Sequence, residues 1–366
     1  AVERLTDLAL LDAQQPDLYS PPRYTLHPLA RAFASSRLAL QPAFESSARD
    51  RWVGWYTALV AQVGYCWDDL DRLRLLDPEQ ETVHSVVQWT LQSGRYADTL
   101  ALARGAGYYY YVRGLWDKKP RINLMRAQAA ASLGDTVDEV ESLAYHVHML
   151  SRQGEIAEAE SYLAKLTSLA ASQELPAAVF FEYQYATALY WMARRNFDTA
   201  QQAWEKSLAR AEPLPAHRHT INLQWLAKCL YQNGQPGQAR RLFREALDEA
   251  MQLGFQRTVI ASKLGLAAID LDAGNLQGAV ASLAESSALA YQYQDRDNLA
   301  QIERLFARLH AQLGDRAAAS RALHEAIDLF QRLGMRAELA EARAELARLD
   351  TPPVPEPDRA PVAASG

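Results

Sequence analysis

Across residues 114–349 apolar side chains recur at helical spacing, in segments of about twenty residues. Each segment ends at a break. Gly114, Gly154, Gly234, Gly274 and Gly314 form one series, separated by 40, 80, 40 and 40 residues. The absent member falls at Arg195-Asn196. A second series lies midway, at Gly134, Gly254 and Gly334, each preceded by Leu. One helix-length segment per break, on a period of about forty, is the signature of helical hairpins stacked into an all-α solenoid. The predicted hairpins are residues 96–113 with 115–133, 137–153 with 155–171, 176–194 with 197–211, 216–233 with 236–253, 256–273 with 276–291, and 298–313 with 316–333. Residues 335–349 are left as a single closing helix.

The text before the array has a different rhythm. Residues 2–13 place Val2, Leu5, Leu8 and Leu11 on one face and predict a single amphipathic helix. Three prolines then exclude helix, residues 23–26 read as a short strand, and His27-Pro28 opens another helix with proline in the tolerated first turn. Helix, strand-bearing loop and helix match the end of a winged-helix module. After Pro42 come one or two helices carrying Trp52, Trp55, Tyr56 and Trp67. Asp77-Pro78-Glu79 is then a strong start for a helix that ends at Gly94. The organisation expected is a winged-helix remnant at 1–40, linking helices at 41–95, the repeat superhelix at 96–350 and a disordered tail at 351–366, where five prolines interrupt any apolar period. The chain starts without Met inside a helical pattern, as an excised piece of a longer protein would.

Composition removes several functions. The net charge is −6 and neither sign forms a long run, so no direct nucleic-acid partner is expected. No segment approaches a membrane span or a signal-peptide layout, so no membrane partner is expected and the location expected is cytoplasmic. Cys66 and Cys229 both fall inside apolar helical patterns and read as buried free thiols of a reducing compartment. The pairs His146/His148 and His217/His219 stand at i, i+2, which on a helix points them apart, so no metal is expected. No nucleophile motif and no phosphate-cradling G-x-x-x-x-G-K-[ST] occurs, so the chain reads as non-enzymatic, with no catalytic residue and no cofactor.

Within each hairpin the small residues are in register. Val147, Ala188, Ala227, Ala267 and Ala307 stand eight positions along each unit, and Ala159, Ala200, Ala239, Ala279 and Ala319 stand at position twenty. The pattern resembles tetratricopeptide repeats, whose helices cross closely at these small positions. The period is longer than the usual thirty-four or so. The resemblance implies a right-handed superhelix with the first helix of each hairpin on the concave wall. Mapped onto it, the groove positions include Tyr108, Tyr111, His148, Arg152, Glu182, Tyr185, Met192, Gln224, Lys228, Tyr231, Gln232, Arg304 and Arg308. That wall suits a peptide or protein helix; alternatively, many of its tyrosines are interlayer packing.

Two further stretches, "RYTLHPLARAFASSRL" at 23–38 and "QETVHSVVQWTLQSGRYADTLALARGAGYYYYVRGLWD" at 80–117, resemble the region after the NTPase core in bacterial NB-ARC regulators of the STAND (NLR-like) signalling class. The resemblance implies that the chain is the C-terminal sensor of such an ATPase. Its partners would be a protein or peptide activator and, in the full-length protein, the NTPase domain. His27 matches a histidine that lies beside the nucleotide in that family, so its nucleotide-sensing role would exist only in the intact parent; alternatively it caps or packs the helix it precedes. Two other readings stay open: a plain protein-interaction scaffold, and a small-molecule sensor like that of maltose-regulator-type activators.

Overall fold

The structure, a computed structural model, describes residues 2–14, 23–210 and 213–350. The Pro-rich tail expected at 351–366 lies outside the described residues. The chain divides into two compact units, residues 1–58 and 59–366.

In the first unit helix α1 (Val2–Asp7) is shorter than the pattern predicts. Leu11–Gln14 leaves the helix and forms strand β1, pairing antiparallel with β2 (Arg23–Leu26) in register Leu11 to Leu26 and Gln14 to Arg23. The apolar residues at 8 and 11 fit a helix face, but Leu11 is held by a ladder its own neighbourhood does not encode. Helix α2 (Pro28–Leu38) follows, and His27 caps it: Leu29 N–H donates to His27 Nδ1 at 3.3 Å. α2 buries no residue, and Leu29 and Phe33 stand exposed. α3 (Pro42–Val63) carries Trp52, Trp55 and Tyr56; Trp67 instead lies in the loop beyond it. The boundary between the units falls inside α3.

In the second unit two 3-10 turns (Leu70–Leu75 and Asp77–Glu79) lead to α4 (Gln80–Gln92). Asp77 makes no cap; its carboxylate takes both arms of Arg113, at 2.8 and 3.1 Å. The array follows as α5 (Tyr96–Val112), α6 (Lys119–Leu133), α7 (Thr136–Gln153), α8 (Ile156–Ala171), α9 (Ala177–Ala193), α10 (Phe197–Leu208), α11 (Ala216–Gln232), α12 (Pro236–Leu253), α13 (Gln256–Asp272), α14 (Leu276–Tyr293), α15 (Arg296–Gln312), α16 (Arg316–Leu333) and α17 (Arg336–Asp350). The largest departure from expectation is α6, which starts at Lys119 rather than 115 because Pro120 fits only a first helical turn. Gly105, a weak helix residue, sits in α5 because a Cβ there would come within 2.9 Å of the Val60 carbonyl oxygen, so α3 and α5 cross at this point.

The repeat frame holds down to single residues. All five alanines at position twenty are fully buried, and so are Val147, Ala188, Ala227 and Ala267, with Ala307 nearly so. Four residues after each alanine at position twenty, Leu163, Trp204, Phe243, Leu283 and Leu323 are buried as well. Arg195, at the absent glycine, takes φ +57°, and Gln294, forty residues before Gly334, takes φ +52°. The turn geometry therefore persists where the glycine does not. Asp135, Asn196, Asn275, Asp295 and Asp315 each accept the backbone N–H three residues on, satisfying helix-start donors at matching points of the array.

Within the second unit the superhelix turns far enough for its last helices to meet its first. Trp116, fully buried, shares a core with Met149 and with Ala300, Phe330, Leu333 and Met335 of the closing repeats. Arg113 Nη1 donates to the Tyr293 carbonyl at 2.9 Å, Arg152 pairs with Asp297 at 2.7 Å, and Arg336 pairs with Glu155 at 2.5 Å. The concave wall expected from the repeat pattern thus curls around a chamber.

Candidate functional site: the chamber inside the superhelix

The chamber measures about 740 Å³ and is lined from every turn of the array. Of the groove positions, Tyr108, Tyr111, His148, Arg152, Glu182, Tyr185, Gln224, Lys228, Tyr231, Gln232, Arg304 and Arg308 all line it. Met192 does not. Its side chain packs instead on the core that holds Ala200 and Trp204 of α10, so it faces the neighbouring helix and not the chamber. His27 belongs to the other unit. In the run Tyr108–Tyr111 the helix splits the rings: Tyr108 and Tyr111 face the chamber, while Tyr109 and Tyr110 are buried between layers, with Tyr110 Oη donating to the Gln80 carbonyl at 2.6 Å.

Much of the lining was not anticipated. His217, Arg257 and Asp297 stand forty residues apart and one helical turn before Ile221, Ala261 and Gln301, which also line the chamber. The long repeat has an extra turn in its first helix, and that turn faces inward too. Its forty-residue spacing is the signal that could have found them. Lys119 and Arg126 come from α6, the second helix of its hairpin, whose inward side the standard positions do not describe, and Tyr145 stands on α7 between the mapped positions. Tyr65 had no signal at all. From the loop after α3, Tyr65 packs on Tyr108 (ring centroids 4.5 Å) and His217 (5.3 Å), and Trp67 stacks on His217 (5.1 Å) and meets Phe255 (5.4 Å). The loop thus ties α5 to the starts of α11 and α13.

Charge in the chamber is mostly paired. Glu182 accepts from Arg218 Nε at 3.0 Å and from Tyr145 Oη at 3.1 Å. Burial still raises its pKa, against the pull of Arg218. Asp138 is held low despite burial, because Arg126 and Arg104 both donate to it. Arg257 joins Asp295 at 2.6 Å, Arg304 joins Glu345 at 2.6 Å, and Arg308 joins Asp272 at 2.5 Å. Tyr231 Oη also donates to Asp272, at 2.5 Å. The lysines differ: among the described residues neither Lys119 nor Lys228 has a carboxylate in ion-pair range. Lys119 Nζ donates to Asn123 Oδ1 at 2.7 Å and lies 5.2 Å from the Tyr145 ring centroid; a Cβ at Gly107 would stand 3.1 Å from it. Burial and the nearby Arg126 bring its pKa down to about 7. Lys228 Nζ lies 4.7 Å from the Trp225 ring centroid, and burial lowers its pKa too.

Several buried polar atoms facing this space have no hydrogen-bond partner among the described residues, including Tyr108 Oη, His148 Nε2, Arg152 Nη1, His217 Nε2 and Gln301 Nε2. His148 lies edge-on to Tyr111 and Tyr185, and burial holds it neutral, well below its ordinary pKa. Burial also brings His217 down to about 4. Such orphaned groups are costly inside a fold unless something completes them. Among the described residues no cluster of His, Cys, Asp or Glu could hold a metal ion. Cys66 and Cys229 are buried free thiols raised by burial to about 11 and 12. No described helix is long and apolar enough to cross a membrane.

No protein-family model matches the sequence, and no curated protein matches it. Solved structures do. A Rap protein complexed with Competence and Sporulation Factor aligns over 76% of this chain and 82% of its own, at 15% identity and a TM-score of 0.54. The STAND protein PH0952 of Pyrococcus horikoshii, which has a tetratricopeptide repeat sensor, aligns over 95% of this chain and 58% of its own, at 11% identity and a TM-score of 0.44. The apo quorum sensor NprR from B. thuringiensis aligns over 76% of this chain and 85% of its own, at 14% identity and a TM-score of 0.40. Of these three the Rap protein supports the fold, and with the alanine frame above it shows an all-α, tetratricopeptide-like solenoid.

Proposed function

We propose that this chain is a ligand-binding sensor module that takes a peptide or a short protein segment into its chamber, acting by binding rather than catalysis. One observation carries the reading: a space of about 740 Å³ combines aromatic faces with buried polar atoms that no protein group satisfies. Aromatic anchors with a few oriented polar groups are what an extended ligand needs. The Rap protein of the same fold is complexed with Competence and Sporulation Factor, which supports a binding role here. The finer reading is the C-terminal sensor of a STAND-type NTPase, in which an activator in the chamber would release autoinhibition. The stretches at 23–38 and 80–117 support it, as do Leu29 and Phe33, exposed on a helix that buries nothing and available to a larger module.

The test is selection of a random linear peptide library against the full chain, followed by titration of the enriched peptides into wild type and Ala261→Trp. Ala261 lines the chamber, and a Trp there projects an indole into the space and takes up part of it. Enriched peptides should lose at least about tenfold in affinity, or roughly 1.4 kcal/mol. Peptides that bind both proteins equally would move the site elsewhere. ATP turnover by the purified chain would overturn the non-catalytic reading.

A further inference from the structure

The end of α7, the C-terminal half of α11 and the first turns of α15 face the same part of the chamber with buried donors that find no acceptor among the described residues. Arg152 is nine-tenths buried and commits Nη2 to Asp297 at 2.7 Å, which leaves Nη1 without a partner. Its guanidinium lies 5.4 Å from the Trp225 ring centroid, and the Lys228 ammonium lies 4.7 Å from the same centroid. Two cations therefore gather on one indole, although only one of them has a carboxylate. Gln301 stands one helical turn after Asp297 on α15, and its Nε2, also buried, has no acceptor. Of the carboxylates nearby, Asp297 is taken by Arg152 and Arg257, and Glu341 and Glu345 by Arg304; Glu338 attracts both Arg152 and Lys228 but, among the described residues, forms an ion pair with neither.

We infer that this corner is an oxyanion subsite, in which Arg152 Nη1, Lys228 Nζ and Gln301 Nε2 receive a carboxylate or phosphate group of the bound ligand. The donors are of the type that binds such anions through charge-assisted hydrogen bonds. Trp225 supplies an apolar floor that keeps water from competing. Arg152, pinned by Asp297, offers its free nitrogen in a fixed direction, whereas Lys228 adds a point charge on a flexible stem. The inference rests on the chamber being the ligand site, and it names the group that enters this corner of it.

The test uses the full chain in low-salt buffer and two sources of oxyanion: inorganic phosphate, and an enriched library peptide made as the C-terminal free acid and as the amide. Binding is followed by calorimetry and by the side-chain NMR signal of Lys228. Phosphate should shift that signal in wild type. Lys228→Met should weaken phosphate at least about tenfold, Gln301→Leu should weaken it less, and Lys228→Arg should retain it within about threefold. If the natural anion is a peptide terminus, the free acid should also bind at least about tenfold tighter than the amide in wild type, and that preference should vanish in Lys228→Met. If phosphate alone shows the Lys228 dependence, the anion is a phosphate; should no peptide enter the chamber at all, the subsite survives while the peptide reading falls. If peptides bind but neither anion depends on Lys228 or Gln301, the subsite falls while the peptide reading stands.

Discussion

Lys119 gives the sharpest test of the chamber's electrostatics. Its ammonium is buried beside Arg126 with one neutral hydrogen-bond partner and an aromatic face, and its pKa falls from 10.5 to about 7. A tenfold change in a proton-binding constant is worth about 1.4 kcal/mol, so holding the lysine charged costs the fold up to about 5 kcal/mol relative to a neutral amine. The folded pKa is depressed, so the unfolded chain binds more protons between about pH 7 and pH 10.5. Stability from this group therefore rises with pH through that window and is complete above it. Lys119→Met removes the charge and keeps the aliphatic stem, at the loss of the Asn123 hydrogen bond and the contact with Tyr145. At pH 7 the variant should be more stable by roughly 1–3 kcal/mol once those losses are set against the gain. The difference should shrink by about 2 kcal/mol by pH 9, as the wild-type amine neutralises. Cys66 and Cys229 act oppositely near pH 9, but both proteins contain them and they cancel in the difference. Urea unfolding of both proteins at pH 7, 8 and 9 measures it, and an NMR titration of the Lys119 side chain locates the pKa directly. A difference that does not change with pH, or an amine that titrates near 10.5, would refute the reasoning.

Other parts of the structure yield further expectations. Gln294 holds φ +52° at a helix C-cap, so Gln294→Gly should stabilise the array by about 0.5–1 kcal/mol in thermal unfolding, whereas Gly254→Gln should cost more than that. A Cβ at Gly265 would lie 2.2 Å from the Phe243 ring, which is itself buried, so Gly265→Ala should cost about 1–3 kcal/mol by overpacking, and Ala239→Leu a similar amount at a helix crossing. Closure of the superhelix should depend on its core and hardly on its surface. Trp116→Ala should cost about 3–5 kcal/mol and widen the second unit in small-angle scattering. Arg336→Ala, which breaks a largely exposed pair with Glu155, should cost under about 1 kcal/mol and leave the scattering unchanged.

The repeat was legible because its physics is local. A helix crossing requires a small residue at a fixed distance from its turn, so Ala159, Ala200, Ala239, Ala279 and Ala319 announce the frame without a view of their partners. Turns at Gly114, Gly134 and their successors are equally local, since a left-handed residue ends a helix whatever it packs against. From that frame twelve chamber residues could be placed, because one helix face determines which side chains point the same way. The reading broke wherever contacts joined residues far apart in sequence. The helical pattern over residues 2–13 missed β1, because a strand is stabilised by its partner ladder. Met192 fits the inward spacing yet turns into the core. Tyr65 enters the chamber from a loop without periodicity, and Trp67 of the same loop packs on His217 behind it.

Closure lies at the same divide. The repeat pattern says that hairpins stack and curve, but the total curvature sums small rotations set by side-chain packing at every interface. Only the tertiary structure shows that the sum brings Trp116 against Phe330 and Arg152 against Asp297. The hairpin repeat and its inward face belong to the sequence by itself, because both follow from spacing along single helices. The chamber, its buried lysines and its unsatisfied donors belong to the tertiary structure, because each depends on a partner that another repeat supplies or withholds.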